Sequence, residues 1–368
     1  MSRYVFSADS HITEPGDLFV ENLPASMHQH ALRAEVGEGF MQTMIGDRVV
    51  HRLKLGGEGR SDAMKMRRAG SRDLKMRIAD MENDGVDAEI CYPSLGLMLY
   101  HIADPEAEAA SAQIYNDWNA HYFDGHEDKF VRCGLLPVRR LEDTMAEMKR
   151  VAAHGITAAM LPAVTPAGVP TYNLNAWDPV FALAEKLGTV FVFHTGTGGN
   201  PVIERGAGGA IINYTHQMSE AQDTIMRLVS GGLFERFPKV QTAFIESGAS
   251  WLDGLCERMD EVFEAHYYYV KPKLELKPSE YVRRQVKVAF QYDRGCVMSR
   301  SVTGHETLMF ASDYPHMEGT FPQTRKVVDE LFVGIDITEE QKADILGGTA
   351  ARLFRHSSAP AAPKVLAA

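Results

Sequence analysis

Cysteine is scarce in this chain. Four cysteines stand among 368 residues, at Cys91, Cys133, Cys256 and Cys296, and no CxxC occurs. Such long gaps exclude a disulfide framework and a cysteine-built zinc site, and they suit a reducing compartment. Basic charge is also short, with 38 Lys and Arg against 49 Asp and Glu, a formal net charge of −11. That excess of acid disfavours a nucleic-acid or anionic-membrane partner, since both need a basic face. No apolar run approaches a membrane span, and the best, 156–169, is broken by Pro162 and Pro166. The opening MSRYVFSADS lacks the apolar core of a signal peptide, so a cytoplasmic protein is expected. The 31 Gly and 17 Pro follow no period, which excludes a collagen-like or linker-like chain.

What is present is core-forming material: 45% hydrophobic residues, including 17 Phe, 13 Tyr and 18 Met. It falls into short apolar runs, each ending in a polar residue. Strands are predicted at 4–9, 88–92, 130–136, 157–161, 190–194, 240–246, 286–290 and 308–313. Runs such as VFVFH are apolar throughout, as expected of strands buried on both faces of a parallel sheet. Helical patterns lie between them, at 72–83, 105–126, 141–153, 178–187, 218–230, 251–268 and 338–352. Gly85, Gly155 and Gly188 follow three of these as left-handed caps. Eight alternating strands and helices predict an α/β fold, a distorted TIM (β/α)8 barrel spanning 1–356. A doubly wound open sheet fits less well, because no GxGxxG joins an early strand to a helix.

Residues 24–71 do not fit the repeat. They contain the turn Ile45-Gly46-Asp47-Arg48 and then Gly56-Gly57-Glu58-Gly59, which predicts a small hairpin and a mobile loop at the barrel mouth. Lys65, Arg67, Arg68, Arg72, Lys75 and Arg77 read as a solvated helix face. The tail 357–368 is expected to be disordered.

In a barrel the chemistry sits at the C-terminal ends of the strands. Those ends carry Asp9 and His11, Tyr92, His194, Glu246, and Asp313 with His316. Asp9 and His11 are two apart and share one strand face. Closing a barrel makes the first and eighth strands neighbours, which brings Asp313 beside them. Asp9, His11, His194 and Asp313 are therefore predicted to hold one divalent ion, zinc first and manganese second. A single DxH, or a single histidine after an apolar run, is more often a cap or a core residue; the combination is what carries weight. Glu246 reads as a ligand, a proton shuttle or a carboxylate holding a neighbour, against a plain acid near a helix N-terminus. His316 is a substrate contact or a packed loop residue. His216, placed in a long loop after the fifth strand, is a substrate contact or an exposed histidine. Glu14 reads as the partner in a buried ion pair that orients the first loop. Tyr92 and Trp251 read as wall or core.

These residues carry a resemblance. Asp9-Ser10-His11-Ile12-Thr13-Glu14-Pro15, Gly85-Val86-Asp87-Ala88, His194-Thr195-Gly196, Phe234-Glu235-Arg236-Phe237-Pro238, Ile245-Glu246-Ser247-Gly248-Ala249-Ser250-Trp251 and Ser312-Asp313-Tyr314-Pro315-His316 run in order along the chain. Together they resemble the amidohydrolase superfamily, in particular the branch that includes aminocarboxymuconate semialdehyde decarboxylase-like enzymes. The resemblance implies a distorted barrel with one divalent ion on Asp9, His11, His194 and Asp313. The chain departs from the pattern twice: its first ligand is Asp rather than His, and Glu246 stands where many members carry a histidine after the sixth strand.

Two activities follow as expectations. The first is a metal-dependent hydrolase, in which Asp313 takes the proton of a metal-activated water and passes it to the leaving group, on an amide, ester, lactone or carbon–carbon bond. The alternative is a metal-dependent non-oxidative decarboxylase of an aromatic or enoic acid. The missing histidine and the lack of an evident rim arginine favour hydrolysis. A barrel that binds a small molecule without turnover is the third option, and the intact ligand set argues against it. A homo-oligomer, most simply a dimer, is expected from the resemblance and from the run His266-Tyr267-Tyr268-Tyr269-Val270.

Overall fold

Polar strand ends reach a common rim only if the strands lie parallel and in register, and the computed structural model shows that they do. It describes residues 3–54, 69–198 and 203–357. The first predicted strand is split into β1 (Phe6–Ser7) and β2 (His11–Ile12). The inserted strands follow as β3 (Leu32–Gly37), β4 (Phe40–Ile45) and β5 (Arg48–Lys54). The barrel resumes with β6 (Ala88–Pro93), β7 (Phe130–Leu135), β8 (Ala158–Pro162), β9 (Val190–His194), β10 (Gln241–Ile245), β11 (Val286–Phe290) and β12 (Leu308–Phe310). The barrel sheet runs β1-β6-β7-β8-β9-β10-β11-β12, with β2 also on β6. At the seam, Ala8 N donates to Phe310 O at 2.9 Å, His11 N to Tyr314 O at 2.7 Å and Asp313 N to Asp9 O at 2.8 Å. The two ends of the sheet are thereby joined into a nearly closed eight-position parallel barrel.

Every residue of β9 is buried, because helices cover the outside and side chains fill the inside. Phe193 and Phe244 stack on neighbouring strands with centroids 5.0 Å apart. Each such ring contributes on the order of 2–3 kcal/mol through removal from water. Register then levels the rim: His194 lies opposite Pro162 on one side and Ile245 on the other.

The helices form where the apolar spacing and caps predict, with shifted ends. Leu74–Asp84 is capped by Asp73, whose side chain accepts from Met76 N, and closes on Gly85 at φ 79°. Its inner face buries Arg77, Met81 and Asp84, at helical spacing. Arg77 therefore leaves the predicted solvated face, while Arg72 and Lys75 stay exposed. Lys65, Arg67 and Arg68 lie outside the described residues. The helix expected at 218–230 begins earlier, as Gly209–Ser230, and the one expected at 251–268 is Leu252–Ala265.

The insertion is a three-stranded antiparallel sheet rather than a hairpin, since β4 pairs with both β3 and β5. It packs near Leu18–Asn22 and the turn Gly96–His101, which follow β2 and β6 at the C-terminal rim. Arg48 Nη2 ties it down by donating to His101 O at 2.8 Å. The glycine-rich stretch 56–59 and the tail from 358 lie outside the described residues. Among the described residues, no helix is long and apolar enough to cross a membrane.

Candidate metal centre

Asp9 and His11 sit where the first strand leaves the barrel, His194 ends β9, and Asp313 follows β12 by three residues. All four side chains are buried. His11 Nδ1 lies 3.1 Å from Pro93 O, and His194 Nδ1 lies 2.8 Å from Thr195 O. A carbonyl can only accept, so each Nδ1 carries the proton and each Nε2 presents a lone pair. Those two Nε2 atoms face each other at 3.2 Å. Asp9 Oδ1 is 3.3 Å from His11 Nε2 and 3.6 Å from His194 Nε2, and Asp313 Oδ1 is 3.6 Å from His11 Nε2. Both carboxylate oxygens of Asp9, and Oδ1 of Asp313, are buried without a hydrogen-bond partner.

Buried polar atoms are almost always satisfied, so a knot of facing acceptors needs a cation. Donor atoms about 2.1 Å from one tetrahedral ion stand about 3.4 Å apart. Asp9, His11 and His194 match that edge at 3.2 to 3.6 Å, while Asp313 comes within 3.6 Å of His11 and groups with His11 and His316. Two imidazoles and the Asp9 carboxylate thus fit a divalent ion, with the Asp313 carboxylate adjoining through His11.

Burial and mutual repulsion set the charges. Burial opposes ionisation of Asp9, but His11 and His194 outweigh it and hold the carboxyl below its usual range. Burial, with His316 alongside, pulls His11 down to about 3. His194 suffers the same burial yet ends above its ordinary value, because it faces both Asp9 and Glu246. Burial, then the charges of Asp9 and Glu318, push Asp313 well up. Burial and the nearby Asp313 carry Glu246 to about 8.

Glu246 and Asp313 also share a backbone feature. They adopt φ 58° and 54°, two of three left-handed non-glycine residues among those described. A glutamate in that region is uncommon and is held by its surroundings. The turn delivers each carboxyl to the rim just beyond a buried strand. Glu246 Oε2 stands 3.7 Å from His194 Nδ1. Gln291 Nε2 donates to Asp313 Oδ2 at 3.2 Å. His316 Nδ1 lies 2.8 Å from Asp313 Oδ1, and its ring stacks on His11 at 4.2 Å. A cavity of about 220 Å³ opens beside them, lined by Tyr214, Met218, Glu246, Gln291 and Glu318 among others. The Tyr214 hydroxyl donates to Glu318.

Asp9, His11, His194 and Asp313 are therefore brought together, with His316 against them and Glu246 on the adjoining wall. His216 is not brought in. It lies on the helix Gly209–Ser230 rather than in a loop, exposed, with Nδ1 3.2 Å from Ser219 Oγ. Among the described residues Glu14 makes no ion pair; its carboxylate accepts from Ser94 N, Leu95 N and Gly96 N at 2.8 to 3.0 Å and pins the first loop to the second. Tyr92 is buried wall, its hydroxyl donating to Ala8 O. Gln291, one residue past β11, was missed although the strand-end logic reaches it. Glu318, in an irregular loop, had no pattern to reveal it. Arg77 was missed too. It pairs with Glu89 below the site, donates from Nη1 to His11 O at 2.7 Å, and lies over the Tyr314 ring at 4.9 Å.

A family model described as amidohydrolase matches residues 25–356. A 2-amino-3-carboxymuconate-6-semialdehyde decarboxylase of Dictyostelium discoideum is 24% identical over 288 residues, covering 76% of this chain and 75% of that protein. A solved amidohydrolase from Mycobacterium avium subsp. paratuberculosis superposes with a TM-score of 0.80 at 20% identity, over 96% of this chain and 98% of that one. A solved 5-carboxyvanillate decarboxylase from Novosphingobium aromaticivorans, complexed with manganese and 4-hydroxy-3-methoxy-5-nitrobenzoic acid, superposes with a TM-score of 0.71 at 19% identity, over 96% of each chain.

Proposed function

Because this chain belongs to the amidohydrolase family, we propose that it is a metal-dependent, non-oxidative decarboxylase of a small aromatic or enoic carboxylic acid. The observation that carries this reading is the cluster Asp9, His11 and His194 adjoining the pair Asp313 and His316, 2.8 Å apart, beside a cavity walled by Glu246. Decarboxylation needs a proton placed on the carbon that loses CO₂; hydrolysis needs a base. The named decarboxylases among the similar proteins point the same way. Hydrolysis is the second reading, resting on Glu246 in place of a histidine.

Asp9, His11, His194 and Asp313 would hold the ion, with manganese favoured over zinc by the manganese-bound relative. When bound, the ion supplies Lewis acidity and an anchor for the substrate carboxylate and a neighbouring oxygen. Asp313, with His316 at 2.8 Å, would relay a proton to the substrate carbon as CO₂ leaves. His316, one-third exposed and 2.8 Å away, connects Asp313 to solvent and would return the proton. Glu246, whose carboxyl burial and the nearby Asp313 push up, would lessen the repulsion met by an incoming carboxylate. Glu246, Glu318, Tyr214 and the Gln291 amide are well suited to receive hydroxyl or amino substituents on the substrate.

The test is bicarbonate release from a panel of hydroxylated and aminated aromatic and enoic acids, run beside ester, amide and lactone substrates. Metal-dependent CO₂ release, lost with chelator and restored by Mn²⁺, is expected. Hydrolytic products without CO₂ would overturn the reading.

A further inference from the structure

The N-terminal end of the barrel holds a second cavity, of about 340 Å³. Its floor is the start of β9 at Val190, of β10 at Gln241 and of β11 at Lys287. The C-terminal helix Thr349–Leu353 and the residues after it form one wall. Four cations line it, Lys239, Lys287, Arg352 and Arg355, against the carboxylate of Glu306. Asp344 offsets one of them through its 2.7 Å contact with Arg352 Nη2. Four cations against two carboxylates leave an excess of positive charge in a chain whose net charge is −11.

The donors in this cavity are not used up by the protein. Lys239, at an exposed position on its rim, makes no ion pair among the described residues. Among the described residues Lys287 Nζ reaches no carboxylate within salt-bridge range; it donates to the carbonyl of Val286 at 3.3 Å. Burial pulls its ammonium down to about 8, so an anion beside it would be welcome. Arg355 is the third left-handed non-glycine residue, at φ 56°, and that turn sets its guanidinium on Gly188 O at 3.0 Å. Surplus cations around an open volume are the reverse of the metal centre, where facing acceptors suit a cation.

We propose that this cavity is a second ligand site and takes a small dianion, a phosphate monoester or a dicarboxylate. Its volume exceeds that of a lone inorganic ion and suits a metabolite of modest size. The same three strands carry His194, Glu246 and Gln291 at or just past their other ends, about 13 Å along the barrel at 3.3 Å per residue. The site is thus separate from the metal centre yet joined to it through rigid strands.

Calorimetry on the metal-loaded protein tests this with glycerol 3-phosphate and succinate as probes. Saturable binding of either at millimolar or lower concentration is expected, and which one binds identifies the chemistry. Lys239→Gln/Lys287→Gln should weaken it at least tenfold. The single Lys239→Gln, at an exposed position, should weaken it about threefold and guards against a double variant that fails to fold. His11→Ala, which disrupts the metal centre, should bind the probe unchanged. Absence of binding by both probes, binding indifferent to Lys239→Gln in a folded protein, or binding lost with His11→Ala would overturn the proposal.

Discussion

Replacing Asp313 by Asn separates ligation from proton transfer in a single group. The two side chains have the same size and shape. Asn also tolerates the left-handed backbone better than most residues, so the φ of 54° is retained. With its oxygen toward His11 Nε2, the Asn amide faces Gln291 Nε2, now 3.2 Å from Asp313 Oδ2. Gln291 then turns its own amide to present oxygen, at little cost. Stability should hold, because the carboxyl that is removed is one that burial and Asp9 already disfavour as a charge. Metal content should stay above half. What is lost is the proposed proton relay between Asp313 and His316. A general acid contributes about 10²–10⁴-fold, so kcat should fall at least about 10²-fold, roughly 2.7 kcal/mol of barrel-site catalysis. The assay is bicarbonate formation at saturating Mn²⁺, with metal content measured on the same sample. Turnover within about threefold of wild type at full metal load would refute the role given to Asp313.

His11→Ala removes a donor from the centre of the ligand knot, so metal and activity should disappear together; metal analysis at or near one ion per chain would contradict the assignment. Arg77→Ala leaves Glu89 buried and unpaired and frees the carbonyl of His11, so a loss of about 3–5 kcal/mol in urea unfolding is expected, and a loss under about 1 kcal/mol would refute it. Glu108 accepts from Val138 N and Arg139 N, and burial raises it to about 7. Its proton is bound more tightly in the folded state, so its contribution is full below about pH 4.5 and is lost as pH rises through 7, by at most about 3 kcal/mol. Glu108→Gln should therefore be the more stable protein at pH 8, with the gap closing toward pH 5 in urea midpoints; a pH-independent gap would exclude the mechanism. Tyr268 and Tyr269, 89% and 83% exposed, should be covered by a second copy, which a monomeric mass by light scattering at micromolar concentration would disprove.

The strand order and the rim were legible because a parallel barrel imposes a simple code. A strand buried on both faces must be apolar until it reaches the rim, and the first polar residue beyond it is displayed there. VFVFH delivers His194 by that rule, and LMFAS delivers Asp313. Glu246 followed the same rule in position. Its preferred charge did not, since a neutral carboxyl depends on Asp313 being close across the barrel.

What failed involved residues whose surroundings come from elsewhere in the chain. Arg77 belonged by charge to a surface run, but its helix turns it inward onto Glu89, twelve positions away and on another element. Glu14 looked like half of an ion pair, yet three backbone N–H groups of the next loop satisfy it. The helix starting at Gly209 carries His216 away from the cavity that Tyr214 and Met218 line.

By itself the sequence determined the barrel, its strand ends and which residues are candidate donors there, because hydrophobic periodicity and residue type are local properties. Only the tertiary structure decided which of those residues lie together, how burial shifts the neighbouring carboxyl groups, and that surplus cations gather at the far end. Those are properties of distance and burial, and the seam between the first and eighth strands, which makes Asp9 and Asp313 neighbours, exists only once the barrel is closed.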